Sequence, residues 1–195
     1  MPLYGSVRRL DNCNFSEENV WTKQASKIRR PPGTDFVADG SDLACVPDST
    51  YEFLLSSHNL EHFANPVKAI KEWQRVTKPG STLILALPDY RFTFDHRRSP
   101  TEVEHLLLDY KRGTPESDLT HLDEILDKHD LSRDPFAGGP EAFRDRSLKN
   151  LENRCLHHHV FEKSNTRELL IALGLKVLAV ETAWPFHIFA VARMS

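Results

Sequence analysis

Tyr51-Glu52-Phe53-Leu54-Leu55-Ser56-Ser57, then Asn65-Pro66, then Thr82-Leu83-Ile84-Leu85-Ala86-Leu87 decide the fold. The first run has an apolar centre at Phe53, Leu54 and Leu55, and the last is apolar on both faces. Continuous apolar strands belong in a parallel sheet covered by helices on both sides, because neither face then meets water. Between the two runs, Asn65 can cap a helix and Pro66 suits its first position, where an amide hydrogen would go unbonded. Ile70, Trp73 and Val76 give that helix an apolar stripe. Pro79-Gly80 reads as its stop. Strand, helix and strand at this spacing form a βαβ unit, which must be right-handed.

Working outward, Pro31-Pro32-Gly33 punctuates the chain ahead of a short strand at about 35–38. Downstream, residues 89–161 read as a helical insertion. Thr101 and Glu104 make a capping-box pattern that opens a helix through Leu106, Leu107 and Leu108. A second helix is expected at about 118–129, with Leu119, Leu122, Ile125 and Leu126 inward. Asp134-Pro135 and Gly138-Gly139-Pro140 then break the chain before a third, at about 143–151. The chain closes with a helix at about 166–173, stopped by Gly174, and strands at 176–182 and 187–193 that turn through Trp184-Pro185. A terminal hairpin after a parallel unit gives a mixed α/β sheet. The apolar residues of the insertion are too few for a core of their own. Residues 1–195 are therefore expected to form a single domain, with 89–161 lying over the site as its cover.

A formal net charge of -3 argues against a nucleic-acid binder that works by bulk electrostatics. Cys13, Cys45 and Cys155 offer no Cys-x-x-Cys pair, so neither a zinc ribbon nor a disulfide framework is indicated, and a reducing cytoplasm is the natural setting. No run approaches the roughly 18 apolar residues that a membrane span requires. The expectation is a soluble, cytoplasmic protein with neither nucleic-acid nor membrane partners.

The stretches Asp35-Phe-Val-Ala-Asp39-Gly40-Ser41-Asp42-Leu43, Ser57-His58-Asn59-Leu60-Glu61-His62 and Arg75-Val-Thr-Lys-Pro-Gly80, in that order, resemble the type-11-like branch of the class I S-adenosylmethionine (SAM)-dependent methyltransferases. The resemblance implies an α/β Rossmann-like methyltransferase sheet with SAM as cofactor. It carries Asp39 onto the acid that bonds the adenine amino group, with Gly40 and Ser41 beside the ring. Ser57 and His58 fall on positions lining the methionine and sulfonium side. Asp11, in Val-Arg-Arg-Leu-Asp-Asn, resembles the acid that clasps the ribose. The family's first motif is a strand followed by a Gly-x-Gly loop, and Gly5 stands alone before Asp11. The order that remains implies a sheet incomplete at its N-terminus, lacking a strand that the family places between its second and fourth.

Methyl transfer needs positioning and desolvation, plus a general base if the acceptor is a hydroxyl or amine. His58, at a strand end, is the candidate base; the competing reading is a histidine that caps the following helix. Arg91, Asp95 and His96, in the aromatic and charged run after Pro88, are candidate substrate-binding residues. Phe92 and Phe94 there could equally anchor the insertion. His157-His158-His159 invites a metal with His121 or His129 as a further ligand, but no compact ligand spacing accompanies it, and no metal site is expected. The leading expectation is SAM-dependent methyl transfer to a small-molecule or glycan-like acceptor. The alternatives are a non-catalytic binding module of the same fold and a metal-dependent hydrolase built on the histidines.

Overall fold

The computed structural model describes residues 6–18 and 31–195. Two short strands, β1 (Asn12–Asn14) and β2 (Asp35–Val37), pair in parallel as a sheet of their own. Gly33 makes the approach to this pair possible: a Cβ there would stand 1.9 Å from the Leu10 carbonyl oxygen, so any side chain would push the two segments apart.

A four-stranded sheet carries the rest, in the order β3-β4-β6-β5. It is built from β3 (Tyr51–Ser57), β4 (Thr77–Pro88), β5 (Lys176–Ala183) and β6 (His187–Arg193). β3 and β4 run parallel, joined by α1 (Pro66–Val76), while β6 pairs antiparallel with both β4 and β5. This is the βαβ unit and hairpin expected from the sequence. Among the described residues, the strand pair β1–β2 forms a sheet separate from the larger one. The Tyr51 hydroxyl donates to Asp11 Oδ2 at 3.3 Å, and Cys13 and Phe36 pack against the main core.

α1 forms as its residues dictate. Asn65 accepts from the Lys68 amide at 3.0 Å, Pro66 occupies the first turn, and Val67, Ile70, Trp73 and Val76 are buried. They share one core cluster with Leu83, Leu85 and Leu87 of β4, with Leu169 and Leu170 of α6 (Lys163–Ala172), and with Ile188, Ala190 and Ala192 of β6. Pro79-Gly80 does not stop the helix, which ends at Val76. It sits in an irregular stretch of β4 between the pairings Tyr51–Thr77 and Phe53–Thr82, and Gly80 takes the left-handed conformation (φ 75°) that the kink requires.

The insertion contains α2 (Val103–Arg112), α3 (Leu122–Lys128), α4 (Pro140–Leu148) and the single turn α5 (Asn150–Asn153). The capping box at Thr101 is corrected: α2 starts from Glu102 with no side-chain cap bond. The Thr101 hydroxyl instead accepts from the Val160 amide of the insertion's return segment at 2.9 Å. α3 is shorter than expected, as residues 118–121 form turns around Asp118. Val103 and Leu106 of α2 join the main core, while Ile125, Ala137, Phe143 and Leu156 form a small cluster of their own.

Candidate active site

Chain segments leaving the carboxyl ends of β2 and β3 lie side by side, at the strand ends where open α/β sheets bind ligands. Asp39 follows β2. Its Oδ1 accepts from the Ser41 amide and the Ser41 hydroxyl, both at 2.8 Å, and its Oδ2 accepts from Arg154 at 2.9 Å. Burial alone would push this carboxyl up, but the Ser41 bonds and the Arg154 guanidinium hold it below the usual carboxylate range. Gly40 lies against Phe63, whose ring a Cβ would approach to 2.9 Å, and its carbonyl accepts from the Trp73 indole at 2.9 Å. Asn59, next to His58, comes within 3.8 Å of that same Cβ position, so the two strand ends are neighbours.

His58 holds a left-handed backbone (φ 48°) directly after β3, which turns its ring out of the strand. Its Nε2 lies 2.8 Å from His187 Nδ1, one ring donating to the other, and the Phe186 ring meets it edge-on at 5.7 Å. Burial, with help from His187 and His157, lowers its pKa to about 4, so the imidazole is neutral at neutral pH. Ser57, the last residue of β3, is exposed beside it.

Behind His58 stands a carboxylate that sequence reasoning passed over. Glu61 is buried, with Oε1 3.8 Å from His58 Nδ1 and 3.9 Å from His62 Nε2, and Oε2 without a hydrogen-bond partner. Burial raises its pKa to about 7, with the His157 charge opposing. A carboxyl whose folded pKa exceeds its unfolded value of 4.5 stabilises the fold fully below that value, and the contribution is lost as pH rises through 7. Comparing Glu61→Gln with the wild type by urea unfolding at pH 4.5 and pH 8 should therefore show a gap that moves by about 3 kcal/mol in favour of the variant at the higher pH. Any cost of burying the amide is a pH-independent offset. A gap that does not change with pH would remove Glu61 from this role.

His62 and His157 rings meet edge-on at 4.7 Å, and His157 Nδ1 bonds Asp95 Oδ2 at 2.6 Å. Burial disfavours charge on His157, but Asp95 outweighs it and raises the pKa. Asp95 is itself buried, which pushes its pKa up, yet His157 and Arg98 bring it down to about 2. Both its oxygens are taken, by Arg98 and His157, so it acts on the site by holding His157 and does not face solvent. The structure thus links Asp95 to His58 through His157, His62 and Glu61. Arg91 is exposed and forms two bonds to buried Asp89, at 2.9 and 2.6 Å, and the Asp89 amide bonds the Phe186 carbonyl beside His58. His96 turns instead to Asp130, 2.8 Å away.

Asp11 is placed differently from the expectation. It precedes β1 and accepts from the Thr34 amide at 2.8 Å, where β2 begins, so it stands at the opposite end of the strand pair from Asp39. Arg154 and His187 are further residues of the site that sequence reasoning missed. The final strand's opening histidine was a usable signal; Arg154, in a left-handed turn 115 positions from its partner Asp39, gave none.

The residues fit the adenine end of SAM: an acid kept ionised, a backbone stretch at Gly40 and Ser41, and an aromatic neighbour in Phe63. No Gly-x-Gly loop lies among the described residues.

Comparison with known proteins accords with this geometry. Residues 3–85 match the family model described as a methyltransferase domain. A demethylmenaquinone methyltransferase from Renibacterium salmoninarum is 36% identical over 58 residues, 30% of this chain and 24% of that protein. The chain thus spans about a quarter of that curated relative. Among solved structures, a SAM-dependent methyltransferase from Mesorhizobium loti superposes with a TM-score of 0.55 at 14% identity, over 96% of this chain and 81% of the other. A protein from Listeria monocytogenes described as a putative SAM-dependent methyltransferase gives the same score and identity, over 97% and 81%. No described helix is long and apolar enough to cross a membrane. Residues 3–85 thus match a methyltransferase domain model, and the chain shares the fold of solved SAM-dependent methyltransferases.

Proposed function

We propose that the cleft between Asp39 and His58 serves methyl transfer from SAM to a small-molecule acceptor carrying an ionisable hydroxyl or amine. The observation that carries this reading is the pairing of a neutral, half-buried imidazole at the end of β3 with the Asp39 carboxylate at the end of β2. SAM, when bound, supplies a methyl group activated by a sulfonium charge. Asp39 and the backbone of Gly40 and Ser41 orient the adenine. The His58–His187 pair takes the acceptor's proton, and Glu61 offsets the charge that the imidazole gains. Arg91, exposed next to Asp89, meets the acceptor, with His96 further out; Asp95 keeps His157 in place. The acceptor class extends to glycan-like hydroxyls; the name of the curated relative concerns a quinone, on a match of 58 residues.

A second reading rests on one observation: Arg154 already occupies Asp39. On that reading the chain is a methyltransferase-fold binding module without catalysis. Incubation of the chain with SAM and a panel of small hydroxyl and amine compounds, reading release of S-adenosylhomocysteine, separates the two. Acceptor-dependent release supports transfer; no release with any acceptor leaves the module reading.

A further inference from the structure

Away from that cleft, four side chains of the insertion converge. His105 and Asp109 lie one turn apart on α2, His121 comes from the loop before α3, and His159 from the return segment. His105 Nε2 is 3.0 Å from His121 Nε2 and 3.2 Å from Asp109 Oδ2, and His159 Nε2 is 3.8 Å from the same oxygen. One potential ligand atom from each of the four lies within 4.8 Å of every other. A tetrahedral ion with bonds of roughly 2.0–2.1 Å has ligand–ligand edges of about 3.3–3.4 Å, inside the observed spread.

The protein leaves part of this cluster unsatisfied. Asp109 Oδ2 is buried and has no hydrogen-bond partner, with the residue only 7% exposed. His159, 1% exposed, has no partner for Nδ1. Such orphans are costly unless something completes them. The surroundings also match a ligand's outer support, since Asp109 Oδ1 is fixed by the Thr114 hydroxyl at 3.0 Å. Burial lowers the pKa of both His121 and His159, which favours the neutral form that metals bind.

We propose that His105, Asp109, His121 and His159 form a binding site for a divalent transition metal of the zinc and cobalt class. Three imidazoles and one carboxylate select such ions over magnesium or calcium, which prefer all-oxygen shells. The ion ties α2, the loop before α3 and the return segment together. It also steadies the cleft, since the Ala64 backbone touches both His159 and Glu116, and Glu116 pairs with Arg154 beside Asp39. The histidine triplet is thereby divided: His159 serves this site, and His157 belongs to the group with Glu61 and His62.

The test uses untagged, chelator-treated chain titrated with Co(II) and then Zn(II). Visible bands of four-coordinate Co(II) at one equivalent, displaced by Zn(II), are expected, together with a higher thermal midpoint with Zn(II) than without. His121→Gln, at a half-exposed position, and Asp109→Asn should each weaken Zn(II) binding by about 10–100-fold or more, while Glu61→Gln leaves it unchanged. The absence of stoichiometric uptake by the wild type would overturn the proposal. So would binding that survives His121→Gln but is lost in Glu61→Gln.

Discussion

Arg98→Ala should cost the folded chain about 3–5 kcal/mol, because it strips one partner from a buried ion pair. Arg98 is 3% exposed; its Nη1 donates to Asp95 Oδ1 at 3.0 Å and to the His157 carbonyl at 2.8 Å, and its Nη2 donates to the His158 carbonyl at 3.1 Å. Without the guanidinium, a buried carboxylate keeps only His157, and two carbonyls of the return segment lose their donors. Arg98→Lys keeps the charge but not the planar fork, and should recover only part of the loss. Urea unfolding at neutral pH measures both. The Asp95 contribution is present above its unfolded pKa of 3.8 and is lost as pH falls through its folded value of about 2, so the wild type should give up stability in that window. A loss below about 1 kcal/mol in Arg98→Ala, the range of exposed pairs, would show that the insertion is not anchored here.

In the acceptor-dependent assay, His58→Ala should lower turnover by about 10²–10⁴-fold, the usual contribution of a positioned general base. The fall should appear in kcat with KM little changed, since the imidazole matters when the acceptor's proton moves and not when the acceptor binds. His187→Ala should lower kcat less, because it removes the ring that orients His58 and leaves His58 itself in place. A His58→Ala enzyme with unchanged kcat and raised KM would make the residue a binding contact only. That outcome would return the role of base to another group in the cleft.

The larger sheet was legible because its signals are local. The apolar runs of β3 and β4, the Asn65-Pro66 start of α1 and the closing hairpin each fall where the residues put them. Signals that depend on tertiary partners were not legible. Thr101 offered a good cap, yet its hydroxyl accepts from the Val160 amide; Pro79-Gly80 kinked a strand instead of ending a helix. Asp39 and His58 could be placed at strand ends from the motif order alone. The supporting shell could not: Glu61 is perturbed only because the fold buries it, and Arg154 reaches Asp39 only through a turn in the insertion. The motif order did not convey that Asp11 stands at the entry of β1, where it accepts from the Thr34 amide.

The central claim is that Asp39 anchors the cofactor's adenine, and calorimetric titration with S-adenosylhomocysteine tests it most directly. The wild-type chain should bind saturably but weakly, in the micromolar range or above, since Arg154 must yield Asp39. Asp39→Ala should weaken binding by about 1–3 kcal/mol, or roughly 5- to 150-fold. An affinity in Asp39→Ala equal to that of the wild type, or no saturable heat from the wild type at all, would contradict the claim.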